Sequence, residues 1–390
     1  MRIACVTVYD VQRPETWPTT QPGLCQAGQH ITQQLLARGM AVDFIGGLRK
    51  RPSLRTKVKW NLYRRCFGKD YYRWAEPVIV RDYGQQVMRQ LRTSAAEVVL
   101  CPENVVPVAA LNADRPVVLW TDAPLGALID FYPYLSNLCG ETRRNILAME
   151  RRSLEGCARV VYTSQWAAQQ AIALYHLDPD KVSMIPWGAN LDFALSRAEV
   201  ESLIEQRSPQ PCRLLFLGGD WQRKGGEVAL AVAEALRQRG IPTELWVVGG
   251  VPRARATWPD WVKILGFLDK STVSGLTQLR SVISGAHFLI LPTTADCSPH
   301  ALAEANALGV PCLTTQVGGI PSIITEGRNG RCFPLDAPAA DYCDYIQPLM
   351  ENRDRYRALA LTAFEEYQAR LNWRTICAEA AQLLEAVVRP

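Results

Sequence analysis

Two carboxylates eight positions apart carry the most chemistry in this sequence. Asp296 lies in the stretch "ADCSPHALAEANALGVPCL", and Glu304 follows inside what the local grammar reads as a helix. Ser298 is a suitable N-cap and Pro299 a suitable first helical residue, while Gly309 with Pro311 behind it supplies the stop. Ala301, Ala305 and Leu308 recur at helical spacing and should face a core, which puts Glu304 on the flank of that face. A carboxylate there needs a partner. The helix start, near His300 and Ala301, offers free N–H groups and a positive dipole end, a natural seat for a phosphate. An acid before the helix, a phosphate seat at its start and an acid on its flank together point to a site for a sugar nucleotide.

A second constellation lies upstream, in "LFLGGDWQRKGGEVALAVAEAL". A strand ends at Leu217, a glycine-rich loop carries Arg223 and Lys224, and a helix starts near Gly226. Glycines let a backbone approach a ligand closely, and two adjacent cations can neutralise a pyrophosphate. The loop lacks the G-x-x-x-x-G-K-S/T order of a P-loop. Taken alone it also fits an ordinary strand-to-helix turn with solvated cations. Its pairing with Asp296 and Glu304 favours the functional reading.

The elements that must position these residues are those of an α/β protein. Short β-branched runs alternate with helical stretches, the pattern of parallel sheets covered on both faces. Strands are predicted at 3–8, 41–46, 97–101, 116–120, 159–164 and 181–186, then, in a second series, at 213–219, 243–250, 262–267, 287–293 and 311–315. At 390 residues the chain is too long for one ordinary core. The reading is a first doubly wound domain over 1–196, a connection over 197–210 and a second domain over 211–372, with a final helix over about 373–390 packing back on the first. Ligands of open parallel sheets sit at the carboxyl ends of strands, so a two-domain chain would bind in the cleft between its halves.

Composition narrows the class. Apolar residues make up 48% and charged residues 21%, as in a folded globular protein. No apolar run is long enough to span a bilayer. "MRIACVTVYD" reads as a first buried strand and not as a signal peptide. The twelve cysteines fall singly in apolar stretches, which favours free buried thiols in a reducing, cytoplasmic setting.

The three stretches "LGGDWQRKGG", "ADCSPHALAEANALGVPCLTTQVGGIPSII" and "EGRNGRCFP" resemble, in order and over most of residues 213–335, the retaining glycosyltransferases of the GT-B fold, family four. Similarity in the first half is weaker, in "QQLLARGMAVDFI" and "KVSMIPWGAN". The resemblance implies two Rossmann-like domains facing across a cleft, and a UDP- or GDP-sugar as donor. It implies that Glu304 holds the ribose, Asp296 the transferred sugar, Lys224 the diphosphate, and backbone amides near Ser298, His300 and Ala301 the phosphate. Two departures stand out. The family often has Glu where this chain has Asp296, and Arg where it has Gly219. Arg223 is then the substitute cation.

In the first half, "PTTQPGLCQAGQH" puts Gly23 and Gly28 before a helix, and in the resembled family this loop faces the donor. A plain turn fits Gly28 as well. Asp122 follows the strand "PVVLW", near where family members commonly carry a polar group close to the reacting carbon; it also fits a simple cap. His30, His176, His287 and His300 have no metal spacing, and Asp178-Pro179-Asp180 reads as a turn. Neither cofactor nor metal is expected, since GT-B enzymes in general need none.

Charge is uneven: residues 1–196 carry 23 Lys/Arg against 17 Asp/Glu. Residues 49–73 hold ten Lys/Arg and one acid, interleaved with Trp60, Tyr63, Phe67, Tyr71 and Tyr72. Such a stretch suits an anionic membrane at the inner face, a lipid-linked acceptor, or RNA, and equally a solvated basic loop and helix. RNA is the weakest, since no nucleic-acid motif accompanies it. The sequence reading is therefore transfer of a sugar to a glycan or lipid-linked acceptor, with retention. A sugar-nucleotide epimerase and a non-catalytic sugar-nucleotide binder stay open beside it.

Overall fold

The computed structural model describes residues 1–18, 22–51, 53–252, 257–270 and 272–389. The chain divides into two compact units: residues from Met1 to Trp187 together with those from Ile376 onward, and Gly188–Thr375.

The first unit holds strands β1 (Arg2–Val6), β2 (Ala41–Ile45), β3 (Val98–Cys101), β4 (Val117–Thr121), β5 (Arg159–Tyr162) and β6 (Val182–Met184). They form one sheet in the order β2-β1-β3-β4-β5-β6, every pair parallel, with Ile3 opposite Val42 on one side and Val98 on the other. Its helices are α1 (Pro22–Ala37), α2 (Leu54–Cys66), α3 (Pro77–Leu91), α4 (Leu125–Leu128), α5 (Gly140–Gly156) and α6 (Gln165–Tyr175). Ile3, Val6, Val98, Val99, Leu119 and Val160 are wholly excluded from solvent. Strands covered on both faces read as unbroken apolar runs, and that pattern made them legible.

The second unit repeats the plan. Strands β7 (Cys212–Gly218), β8 (Thr243–Gly249), β9 (Val262–Gly266), β10 (Phe288–Leu291), β11 (Cys312–Thr315) and β12 (Gly330–Phe333) are ordered β12-β11-β10-β7-β8-β9, again all parallel. Helices α7 (Arg197–Gln206), α8 (Gly226–Gln238), α9 (Val273–Gly285), α10 (His300–Asn306), α11 (Ala339–Glu351) and α12 (Arg353–Glu366) belong to this unit; α13 (Trp373–Val388) begins in it and continues into the first. The strand order reverses between β1 and β3 in one sheet and between β7 and β10 in the other. In open parallel sheets such reversals leave a crevice at the carboxyl ends of the two strands.

Three sequence expectations meet a different structure. Residues 197–210, read as a connection, contain α7, whose N-terminus is closed by a Ser196–Glu199 capping box and whose Val200 and Ile204 are buried in the second core. Gly23 and Gly28 lie inside α1 and not before it, because Pro22 opens that helix. Strand β12 was not predicted; its four residues include Gly330 and Arg331, too short and too mixed for a strand signal.

Candidate functional site

Three loops meet at the reversal point of the second sheet, following β7, β10 and β11. The loop after β7 is folded on itself: Lys224 N–H donates to Asp220 O at 3.0 Å, and Gly226 N–H to Trp221 O at 2.8 Å. Asp220 Oδ1 also accepts Arg223 N–H at 3.1 Å, a local side-chain turn. Buried Trp221 anchors the loop through Nε1–H to Glu227 Oε1 at 2.8 Å. Gly225 has φ +80°, and a Cβ there would lie 2.0 Å from Pro292 O, so glycine is required where this loop presses on the end of β10. Arg223 O in turn accepts Thr294 N–H at 2.8 Å, and Asp296 O accepts Gly319 N–H at 3.2 Å. The three loops are thus hydrogen-bonded into one platform.

Asp296 sits on that platform, only 6% exposed. Its Oδ2 accepts a hydrogen bond from Lys224 Nζ, and Arg223 Nη1 lies 3.5 Å from the same oxygen while donating to Ala295 O at 2.6 Å. A buried carboxylate is tolerated when such cations face it, and breaking the pair leaves an uncompensated charge. Arg223 Nε also lies 3.6 Å from Asp220 Oδ2, but that carboxylate is half exposed, so the buried part of the site sets two cations against one acid.

Glu304 is fully buried on α10, deeper than a helix flank. Its cation is neither Arg223 nor Lys224: Lys270 Nζ, in the segment between β9 and α9, donates to Oε1 at 2.5 Å. Oε2 has no hydrogen-bond partner among the described residues. An unsatisfied buried carboxylate oxygen costs free energy unless a ligand donor supplies the missing bond. The end of α10 is clamped by buried amides, with Asn329 Nδ2 donating to Asn306 Oδ1 at 2.9 Å and Asn306 Nδ2 to Val310 O at 3.0 Å. Gly309, at φ +63°, turns the chain out of the helix as expected.

The start of α10 differs from expectation. Pro299 occupies the N-cap and His300 the first turn, so Ser298 lies one step outside the cap position and Pro299 is not the first helical residue. His300 Nδ1 is 2.9 Å from Gly188 O, and Ala301 is half-buried. Gly219 directly follows β7, and nothing lies within 4 Å of where its Cβ would be. The absence of a side chain at Gly219 is therefore not forced by packing. The second unit brings together Arg223, Lys224 and Asp296, and gives Glu304 a separate cation in Lys270.

Gly28 and Asp122 belong to the first unit. A Cβ on Gly28 would lie 2.1 Å from the Tyr9 hydroxyl, so glycine here makes room for Tyr9. Asp122 follows β4; Thr163 Oγ1 donates to its backbone O at 2.8 Å and approaches its Oδ1 at 3.2 Å. Buried Glu150 holds the turn that comes next, accepting Leu125 and Gly126 N–H at 2.7 Å each and the Tyr175 hydroxyl. Asp178 and Asp180 form a turn, with Asp178 Oδ1 accepting Asp180 N–H at 3.0 Å. Among the described residues no group of three or more His, Cys, Asp or Glu side chains gathers as around a metal ion.

Sequence reasoning missed Lys270 and, in the first unit, Glu103. Lys270 is a single lysine in "GFLDK", and its one signal is its place just beyond the carboxyl end of a strand. Glu103 follows β3 in "CPENVV" and shares that signal.

The arrangement of strands and loops has close counterparts. The solved structure of a sucrose-phosphate synthase from Thermosynechococcus elongatus superposes with a TM-score of 0.70 at 17% identity, covering 99% of each chain. Anabaena Alr3699/HepE, solved in complex with UDP-glucose, gives a TM-score of 0.61 at 16% identity over 99% of this chain and 100% of that one. The fold is GT-B. Residues 211–352, which include every site residue assigned to the second unit, match the family model of the glycosyl transferases group 1. Among curated proteins, the D-inositol 3-phosphate glycosyltransferase of Paenarthrobacter aurescens (strain TC1) is 26% identical over 228 residues, 56% of this chain and 56% of that protein. The chain thus matches little more than half the length of that relative.

Proposed function

We propose that this chain is a retaining glycosyltransferase of family four, moving a hexose from a UDP- or GDP-sugar to a hydroxyl of a glycan or lipid-linked acceptor without a metal. The observation that carries the reading is the buried Lys224–Asp296 pair, with Arg223 beside it, at the reversal point of a doubly wound sheet. Departure of the nucleoside diphosphate is the hard step, and charge aimed at the developing anion lowers that barrier most. Lys224 and Arg223 supply it, helped by backbone amides near Ser298, His300 and Ala301. Asp296, loosened from Lys224 as the diphosphate takes over that cation, orients the transferred sugar. Glu304 accepts the ribose hydroxyls on the oxygen that otherwise lacks a donor. No side chain is assigned as nucleophile: the acceptor attacks on the face the diphosphate leaves, and the departing phosphate takes the acceptor proton. Asp122 orients the acceptor in the first unit.

The test has two parts. A thermal-shift panel of UDP-, GDP- and ADP-sugars identifies the donor, because a ligand that binds the native state raises its melting temperature. Incubation of that donor with a lipid and glycan extract should then yield a glycosylated product with the donor's anomeric configuration. An isomerised donor with no acceptor product would mean an epimerase. Binding with no product of either kind would mean a non-catalytic binder.

A further inference from the structure

Helix α2 packs on its own domain through polar groups and leaves its large apolar side chains exposed. Thr56, Lys59 and Tyr63 recur at i, i+3 and i+7 and face the first unit through polar groups. Thr56 Oγ1 accepts from Arg73 Nε at 3.1 Å, and Lys59 Nζ bonds Glu141 and lies 3.3 Å from Glu76. The Tyr63 hydroxyl is 3.2 Å from Glu141, and its ring stacks on Tyr71 with centroids 5.5 Å apart. The hydrogen bond that Lys59 donates to Glu141 raises the Lys59 pKa, so this inner cation stays charged.

The outer face mixes apolar and basic side chains. Leu54, Val58 and Leu62, at i, i+4 and i+8, form one stripe and are 80%, 60% and 48% exposed; Phe67, just past the helix, is 62% exposed. Large apolar side chains scattered singly on a surface need no explanation, but a stripe of them along one helix marks a contact. Arg55, Lys57 and Arg65 are exposed around it, without carboxylate partners among the described residues, and the Arg64 guanidinium lies over the Trp60 ring. The chain that follows adds Tyr72, stacked on Trp74 and hydrogen-bonded to Tyr134 O, with Tyr134 itself 55% exposed. Pro52 lies outside the described residues.

We propose that this face of α2 lies in the interface of an anionic lipid bilayer, with Leu54, Val58, Leu62 and Phe67 in the acyl boundary and Arg55, Lys57, Arg64 and Arg65 at the phosphates. The charge decides the occupant. Residues 49–73 offer one acid, Asp70, against ten Lys/Arg, so a second copy docked on the same face would set arginine against arginine. Apolar stripe, basic flanks and adjacent Trp and Tyr are the combination that binds an anionic surface without crossing it. No helix among the described residues is long and apolar enough to cross a membrane. This inference does not depend on what the second unit transfers.

The test uses the full chain and vesicles of phosphatidylcholine alone or with about one-third phosphatidylglycerol. Co-flotation should be strong with the anionic vesicles, weak with the neutral ones, and should fall with added salt. Val58→Glu with Leu62→Glu, and separately Arg55→Ser with Lys57→Ser and Arg65→Ser, should each reduce partitioning at least ~10-fold. All five positions are exposed, so the melting temperature and the donor-induced thermal shift should stay unchanged. Cys66 is exposed while the other eleven cysteines are buried, so a polarity-sensitive maleimide dye reads this helix directly. Its emission should shift to the blue on anionic vesicles and not with the glutamate variant. Equal partitioning of wild type and both variants, or none by the wild type, would overturn the proposal. So would a dimer in light scattering that the glutamate variant dissolves, or retention on single-stranded RNA in place of vesicles.

Discussion

Each sheet places a buried carboxyl at its point of reversal, and the two are held in opposite ways. In the second unit Asp296 faces Lys224 and Arg223. In the first, Glu103 follows β3 and receives Val8 N–H at 2.8 Å, with Asn104 Nδ2 at 3.5 Å and no cation among the described residues. Burial without a counter-charge pushes the Glu103 pKa up to about 7, against the smaller pull of the Val8 N–H. Two acids in equivalent places of equivalent folds therefore do different things. One is held with its cations at a site that can meet an anionic ligand. The other favours the neutral form and belongs to the packing of Tyr9, Cys5 and Cys101, whose own ionisation its charge would oppose. Fold position alone does not make a site; the neighbouring cations do.

The sharpest way to break the contrast is to remove the cation. Lys224→Ala leaves Asp296 buried beside Arg223 alone, so kcat/KM should fall ~10²-fold or more, through loss of charge stabilisation of the leaving diphosphate. Near-normal turnover would remove Lys224 from the mechanism. Arg223→Ala should cost less, about tenfold, because its guanidinium is already tied to Ala295 O.

The other half of the contrast predicts a pH dependence. A carboxyl whose folded pKa is raised from 4.5 to about 7 binds its proton more tightly in the native state. Its stabilising effect is fully present below pH 4.5 and is lost as pH rises through 7. Glu103→Gln keeps an acceptor for Val8 N–H and does not ionise. It should match wild type near pH 4.5 and exceed it by ~3 kcal/mol at pH 8, read from urea midpoints of the transition it shifts. Lower stability at pH 8 would show that the wild-type carboxylate is stabilising there.

A smaller effect separates the two acids of the second unit. Glu304→Gln should weaken binding of nucleoside diphosphate and intact donor alike, roughly tenfold, since a charge-assisted bond to ribose is lost. Asp296→Asn should leave diphosphate affinity nearly unchanged and lower turnover. Equal weakening of both ligands in both variants would reject the division of roles. The smallest expected effect is that of EDTA, which should leave turnover intact; activity lost to it and restored by Mg²⁺ would reassign Asp178 and Asp180.

What the sequence made legible follows from which signals are local. Eleven of the twelve strands announced themselves as apolar runs, and Gly309 announced the end of α10. Strand β12 did not, because its identity comes from pairing with β11 and not from its own four residues. Asp296, Arg223 and Lys224 were legible as a constellation because two turns carried them. Lys270 was not: its partner lies 34 positions away, and no local pattern encodes that distance. The packing of Tyr9 against Gly28 was hidden for the same reason, being a tertiary fact. The N-cap of α10 shifted by one residue, within the usual uncertainty of helix ends.

Helix α13 has one more consequence, for the order in which the chain acquires its structure during synthesis. Ile376, Cys377, Ala380 and Leu384 are buried, and the chain from Ile376 onward groups with the first unit although the whole of the second comes before it. On the ribosome the second unit, contiguous from Gly188 to Thr375, has all its residues before the first does. The N-terminal unit must wait, lacking its last helix, until α13 has been made. The half made first is the half finished last.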